Sequence, residues 1–382
     1  MPYFDHNATA PLEPAAREAW LVAQRQDWQN PGGAYRSAAR VQALIDRQRE
    51  QLGGLLGAAP GRLVFTSGAT EAANTALAHL ARAYPAGRLL LARTEHSCVR
   101  AAAARHFGER LEWLAQDAAG VVDLAALARR LASRGIAAVA VMAANNETGV
   151  LQPWREIAAA CREAGVPYLC DAVQWLGKLS ASGLGAADFL FASAHKFGGP
   201  KGIGFLITPE AVAPRDLALL VGGGQQDGRR AGTEDWPSIA ALGAALLEAE
   251  RKACAHARTA SGLRDRFEAG LLEAIPGAQV VGRGVGRLWN TSMAILPAGE
   301  GARWVLKLDK RGFEVTTAAA CSAAQGRSSA VLEALGVPAV DARRALRFSS
   351  GWETTPADWA ALLGALAQVR TEIGAGVHGG GG

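Results

Sequence analysis

The sequence predicts an α/β fold with a mostly parallel central sheet flanked by helices, followed by a smaller α+β C-terminal domain. From about Leu63 to Leu206, short apolar runs of strand length alternate with helical patterns, which is typical of a parallel sheet. After a long helical stretch, from Pro237 to about Glu273, the pattern changes to isolated strands and helices. The length of 382 residues also favours two lobes, because single cores stop growing at roughly 250 to 300 residues.

The elements of the first region follow one another regularly. The runs LVFT, RLLLA, IAAVAVMA and VPYLCDA predict strands, and the segments TEAANTALAHLARAY and PWREIAAACREAG predict helices between them. Pro153 and Gly165 mark the beginning and end of the second helix. In such sheets, ligands bind at the carboxyl ends of the strands.

The second region contains the predicted strands GRLWNTSMAIL and FEVTT and the predicted helices SSAVLEALG and PADWAALLGALAQVRTEIG. We assign residues 12–255 to a large domain, and residues 1–11 together with 256–374 to a small domain. The tail 375–382 lacks core-forming side chains, and we expect it to be disordered.

Composition narrows the class of protein. An apolar fraction of 49% with 20% charged residues is ordinary for a soluble globular chain. No apolar run approaches the roughly 18 to 20 residues of a membrane helix, and the N-terminus has no signal pattern, so we expect a cytoplasmic protein without membrane contact. The net charge of +5 comes from 34 Arg against 6 Lys spread along the chain, which does not indicate direct nucleic-acid binding.

The five cysteines predict neither a disulfide framework nor a metal site, because their number is odd and no C-x-x-C pair occurs. Cys161 lies in a helical pattern and Cys170 ends an apolar run, so both are predicted to be small buried hydrophobes. Cys321 differs, since its neighbours TTAAACSAAQGR are small and polar. A reactive thiol must be reachable and able to ionise, which this setting permits.

Three segments carry candidate chemistry. Thr66–Glu71 follows a strand and opens a helix, so its backbone N–H groups favour a phosphate, although an ordinary helix cap has the same pattern. Asp171 follows an apolar run, where it pairs with a cationic ligand nitrogen or caps the next segment. Lys196 lies in the glycine-rich stretch SAHKFGGPKG and is a candidate for a Schiff base, with Lys201 as its competitor.

The motifs of the chain occur in the order SGATEA, EH, NNETGV, DAVQ, SAHK, GGG…RRAGT and a late Cys321. In this order they make the chain resemble the class V aminotransferase-like enzymes that use pyridoxal phosphate (PLP). Within that family it is similar to cysteine desulfurases of the NifS/IscS type, from Tyr3 to about Thr355. The resemblance implies the PLP-dependent transferase fold type I, with PLP as cofactor and L-cysteine as substrate.

The resemblance also implies residue roles. Lys196 would carry the cofactor, and His96 would stack over its ring and help move protons. Thr233 would reach the phosphate of the neighbouring subunit, which implies a homodimer. The other implied cofactor contacts are Ala69, Thr70, Ser193 and His195 at the phosphate, Asn146 and Gln174 at the phenolic oxygen, and Asp171 at the ring nitrogen.

For the substrate, the resemblance implies that Arg347 binds the α-carboxylate with help from Asn30, and Arg344 is the alternative arginine. Cys321 would take the sulfur as a persulfide, release alanine as the other product, and pass the sulfur to an acceptor protein for iron–sulfur cluster or thio-cofactor synthesis. Rival functions on the same scaffold are a selenocysteine lyase, an aminotransferase, or a weakly active PLP-binding homologue that docks partners.

The chain departs from the family pattern at several positions. Gly32 and Gly33 replace two common serines, and Tyr35 replaces a typical histidine. Before Cys321, Ala318 and Ala319 replace the usual Gly-Ser, which narrows the backbone's conformational range. Cys98, close to His96, is also unusual, and we expect a spectator role for it.

Overall fold

The computed structural model describes residues 2–318 and 329–378. Its larger sheet has seven strands in the order β1-β7-β6-β5-β4-β2-β3. The run from β6 to β3 is entirely parallel, while β7 is antiparallel to both of its neighbours, β1 and β6. The strands are β1 Leu63–Thr66, β2 Arg88–Leu91, β3 Leu111–Trp113, β4 Ile136–Ala140, β5 Tyr168–Asp171, β6 Phe189–Ser193 and β7 Gly204–Ile207. This arrangement confirms the predicted mostly parallel sheet.

Helices cover both faces of this sheet, because its strands are apolar on both sides. One core cluster joins the sheet to helices that include α2, α6 and α8, and a second joins it to α3 and α4. The helices of this region are α1 Pro14–Gln26, α2 Arg36–Leu56, α3 Ala69–Ala83, α4 Ser97–Phe107, α5 Leu124–Leu131, α6 Trp154–Ala164, α7 Pro214–Leu217 and α8 Trp236–Ala274.

A second, antiparallel sheet has the order β10-β11-β9-β8. Its strands are β8 Gln279–Val280, β9 Thr291–Ile295, β10 Thr316–Thr317 and β11 Ala345–Ser349. The accompanying helices are α9 Gly301–Asp309, α10 Ala330–Ala334, α11 Ala339–Ala342 and α12 Pro356–His378. The N-terminal segment joins this sheet through bridges from Tyr3 to Glu314 and from Asp5 to Ser349.

Two features bear on the predicted domain limits. Helix α8 runs without interruption across residue 255, so the boundary placed there falls inside a 39-residue helix and stays a prediction. Helix α12 ends at His378, so it reaches into the segment 375–382, whose predicted disorder stays a prediction. No helix among residues 2–318 and 329–378 is long and apolar enough to cross a membrane.

A buried ion pair ties α8 to the segment before β9. Arg287 Nη1 and Nη2 lie 2.7 Å from Glu268 Oε1 and Oε2, and each side chain is 4% exposed. Removing one partner of such a pair leaves an uncompensated buried charge.

We therefore expect Glu268→Ala to lower the free energy of unfolding by about 3 to 5 kcal/mol, measured by urea denaturation. Glu248→Ala is the matched control, because Glu248 pairs on the same helix with the solvent-exposed Arg251 and should change stability little. Equal effects of the two substitutions would contradict this ranking.

Candidate active site

A cavity of about 290 Å³ lies at the carboxyl ends of the parallel strands. Residues that follow β1, β2, β4, β5 and β6 contribute to its wall, as expected for an open α/β sheet. Arg347, from β11 of the second sheet, closes it. The sequence-predicted residues that line the cavity are Ala69, Thr70, His96, Asn146, Asp171, Gln174, Ser193, His195, Lys196 and Arg347.

One end of the cavity is built to receive an anion. Helix α3 begins at Ala69, whose N–H donates to Ser193 Oγ at 2.8 Å, so the helix N-terminus and a hydroxyl from β6 meet there. Gly68 has φ of 148°, and a Cβ at this position would lie 3.1 Å from Ser193 Oγ. A glycine is therefore required for this close approach.

The RRAGT segment is tied to the same helix start. Arg230 Nε lies 3.0 Å from Glu71 Oε1, and the N–H of Ser67 donates to Glu71 Oε2 at 2.7 Å. Burial raises the pKa of Glu71, but the hydrogen bonds from Arg230 and Ser67 outweigh it and hold that pKa below its usual range. Glu71 therefore stays ionised and orients the loop that precedes α3.

Lys196 lies on a single 3-10 turn, Ala194–Lys196, directly after β6. Its Nζ donates to the carbonyl oxygens of Asn7 at 2.8 Å and Ala8 at 2.7 Å. The competing Lys201 is exposed and does not line the cavity. Among the two lysines of this stretch, the geometry therefore selects Lys196.

Asp171 ends β5 with its carboxylate buried in the cavity wall. Its Oδ1 accepts a hydrogen bond from the N–H of Val173 at 2.9 Å. Burial raises the pKa of Asp171 to about 6, while that hydrogen bond and the charge of Lys196 oppose the rise. A cation placed against this carboxylate would relieve the cost of burying it.

Arg347 has an exposed fraction of only 4% and is held by two hydrogen bonds. Its Nη1 donates to the carbonyl of Asn146 at 2.9 Å, and its Nη2 donates to Asp5 Oδ1 at 2.6 Å. Its Nε is buried without a partner among the described residues. Arg344 instead bonds to the carbonyl of Pro297 and does not line the cavity, so Arg347 is the arginine of the site.

Two predicted residues lie elsewhere, and one lies outside the described residues. Asn30 and Thr233 are exposed and are not part of this cavity wall, so their roles stay predictions that a second subunit would have to complete. Cys321 falls in the segment 319–328, which is outside the described residues. The residues that flank this segment are close to the cavity: Thr316 pairs with Arg347, and Ser329 Oγ donates to the carboxylate of Glu147, the neighbour of Asn146.

Sequence reasoning missed two structural contributors. Asn7 lines the cavity, and its carbonyl accepts from both Lys196 and Gln174 Nε2, the latter at 3.0 Å. Lys178 is 4% exposed, and its Nζ donates to Gln174 Oε1 at 2.9 Å. These two contacts orient the Gln174 amide from both ends. The one sequence signal for Lys178 is its spacing of four residues after Gln174, which allows the two side chains to meet.

The side chains present fit PLP. The α3 N-terminus suits the phosphate, Asp171 suits a protonated ring nitrogen, and Lys196 is the amine within the same cavity. Asn146 Oδ1 is buried and has no hydrogen-bond partner among the described residues, so its amide is available to a bound group.

This fold and this set of side chains define an enzyme that carries PLP. The chain belongs to the Aminotransferase class-V family, whose profile matches residues 2–362, and members of the family depend on that cofactor. Within the family, its relatives are proteins named cysteine desulfurase. The predicted family, fold type and cofactor are thereby confirmed.

Three comparisons illustrate the similarity. A protein named cysteine desulfurase from Gluconacetobacter diazotrophicus is 38% identical over 363 residues, which covers 93% of this chain and 90% of the relative. A solved structure described as a NifS-like protein is 28% identical with a TM-score of 0.89, covering 97% of this chain and 100% of the other. A structure described as SspA in complex with cysteine is 27% identical with a TM-score of 0.77, covering 92% and 99%.

The buried Lys178 generates a pH-dependent prediction. Burial lowers its pKa from 10.5 to about 7, and the charges of Lys196 and Arg347 add to the effect. Between about pH 7 and 10.5 the unfolded chain binds more protons at this lysine, so its contribution to stability becomes more favourable as pH rises. Lys178→Met removes this term, so the variant's stability relative to wild type should be highest near pH 6 and should fall toward pH 10.

Urea denaturation of the cofactor-free protein at several pH values measures this difference. Lys310→Met, a lysine-to-methionine change on the surface, is the matched control. A stability difference for Lys178→Met that does not vary with pH would show that the buried amine carries no such cost.

Proposed function

We propose that the protein is a cysteine desulfurase, which converts L-cysteine to L-alanine and transfers the sulfur to Cys321 as a persulfide. The observation that carries the proposal is a single cavity containing Lys196, Asp171, His96 and Arg347. Its support from other proteins is the near full-length similarity to cysteine desulfurases and to a structure that holds cysteine.

Different residues of the cavity bind different parts of the cofactor. Ser193 and His195, with the first N–H groups of α3, hold the phosphate, and Asp171 pairs with the ring nitrogen. Lys196 attaches the cofactor covalently. When bound, PLP supplies a protonated ring that takes up the electron pair left at the substrate α-carbon.

Arg347 orients the substrate by binding its α-carboxylate. Its planar guanidinium suits a carboxylate, and its Nε has no partner among the described residues. The bonds to Asp5 and Asn146 hold the group in place before the substrate arrives, so little side-chain freedom is lost on binding. Lys196, once displaced from the cofactor, is the amine that takes the α-proton.

The thiol of Cys321 is the nucleophile in sulfur transfer. The Cys321 thiolate forms an S–S bond with the substrate sulfur as the substrate C–S bond breaks, and the electron pair of that bond stays on carbon. That carbon is then protonated and leaves as part of alanine. Thr316, close before the segment 319–328, pairs with Arg347 of the cavity wall, and Ser329, directly after it, bonds to Glu147, the neighbour of Asn146. Both contacts support delivery of Cys321 to the substrate.

The sulfur then passes to an acceptor thiol by exchange. We place this step in the cytoplasm, with an acceptor protein that serves iron–sulfur cluster or thio-cofactor synthesis. Asn30 and Thr233, exposed in one chain, would complete the site of a second copy.

Incubation of the holoenzyme with L-cysteine, followed by mass spectrometry of the digested protein, tests the whole proposal. We expect one added sulfur atom on the Cys321 peptide and an equal amount of alanine. Cys321→Ala and Lys196→Ala should both abolish this product, because the first removes the sulfur acceptor and the second removes cofactor attachment.

Cys254→Ala is the matched control, since Cys254 is exposed and lies outside the cavity. Its labelling should equal that of wild type. Alanine and sulfide production that survives in Cys321→Ala would contradict the role of Cys321, whereas an aminotransferase or a docking homologue would yield no persulfide at all.

The proposed homodimer is supported by large apolar side chains that remain exposed in the single chain. They occur in two segments near Asn30 and Thr233, and they are Trp28, Tyr35, Leu219, Leu220 and Val221. Sedimentation equilibrium should give the mass of two chains. Val221→Glu, which places a charge in the exposed segment 219–221, should shift the equilibrium toward monomers, while a monomeric wild-type holoenzyme would contradict the proposal.

A further inference from the structure

Cys98 lies beside His96 in the cavity, and the proposed reaction gives it no role. Cys98 lies in the first turn of α4, and His96 is the N-cap of that helix. Both residues line the cavity. The expectation from the sequence was that Cys98 is a spectator.

Two groups of Cys98 converge on one ring nitrogen of His96. The main-chain N–H of Cys98 donates to Nδ1 at 3.2 Å. The Cys98 Sγ atom lies 3.0 Å from the same Nδ1. A backbone N–H is only ever a donor, so Nδ1 must be the acceptor and carries no proton.

The state of both side chains follows from their burial. Burial lowers the pKa of His96 to about 4, with a further contribution from the charge of Lys196, so the ring is neutral near pH 7. Burial raises the pKa of the Cys98 thiol to about 12, and the carboxylates of Asp171 and Glu95 act in the same direction. The thiol therefore keeps its proton and is able to donate it to Nδ1.

We propose that Cys98 is a positioning residue, whose main-chain N–H and thiol together hold His96 as the neutral tautomer with its proton on Nε2. The nitrogen left for the cavity is then a hydrogen-bond donor. Neutral His96 therefore donates a hydrogen bond to a group in the cavity and keeps its own proton, which leaves Lys196 as the base of the reaction. The assignment rests on the proposed function only for the identity of the group that accepts this hydrogen bond, because the tautomer is a property of the folded chain.

NMR of the full-length protein labelled with ¹⁵N-histidine tests the assignment, in the holoenzyme and after removal of the cofactor. Long-range ¹H–¹⁵N correlations distinguish a protonated ring nitrogen from an unprotonated one, and His96→Asn identifies the signals of this ring. We expect an unprotonated Nδ1 and a protonated Nε2 at pH 7.5.

Two substitutions separate the thiol from the backbone. Cys98→Ser keeps a side-chain donor and should keep the wild-type pattern. Cys98→Ala leaves only the N–H, so the ratio of the Nε2-protonated to the Nδ1-protonated tautomer should fall about fivefold, as expected for one lost hydrogen bond, and the Nε2 resonance should move downfield. The spectrum of wild type remains decisive if Cys98→Ala does not fold.

An Nδ1-protonated or doubly protonated His96 in wild type would overturn the assignment. Identical Nε2 signals in Cys98→Ala and Cys98→Ser would overturn the role of the thiol. Neither readout depends on turnover, so failure here is distinguishable from failure of the persulfide experiment, in which no sulfur would reach Cys321.

Discussion

The main chain at Asn7 is the point at which the active-site lysine, the first sheet and the second sheet are held together. Its carbonyl accepts from Lys196 Nζ and Gln174 Nε2, while its Nδ2 donates to the carbonyl of Asn146 and to Thr291 Oγ1 on β9. The N–H of Asn7 donates to Ser349 on β11. The N–H, the carbonyl and both side-chain groups of Asn7 are thereby hydrogen-bonded across the junction, since Oδ1 accepts from Asn290 Nδ2.

Around this junction, ionisable groups lie in the cavity wall and behind it, where water cannot solvate them well. Asp171, His96 and Lys178 all have pKa values displaced toward their neutral forms by burial. Such displaced values cluster at functional sites, since a bound ligand with complementary charges recovers the cost. The arrangement is consistent with a cofactor that brings a protonated ring nitrogen to Asp171 and a phosphate to the N-terminus of α3.

The sequence allowed most of the cavity to be predicted because its residues follow apolar runs, and a parallel sheet gathers strand ends at one edge. Asp171 was predicted in this way, Lys196 from its glycine-rich stretch, and Ser193 from the family resemblance. Strands β3, β7, β8 and β11 were not. Of these, β3 and β8 contain only three and two residues, too few to give a clear apolar pattern. Lys178 and Asn7 were missed, since neither a buried lysine nor an N-terminal asparagine has a local signal for tertiary contact.

The chain by itself determined the family and the cofactor, because ordered motifs survive in the linear sequence. Only the tertiary structure chose between alternatives that local pattern left equal. Arg347 lies inside β11 and reaches Asp5, whereas Arg344 lies just before that strand and bonds to the carbonyl of Pro297. The tertiary structure also showed that Cys98 contacts His96, because this hydrogen bond depends on the turn geometry at the start of α4 and cannot be deduced from the residue types alone.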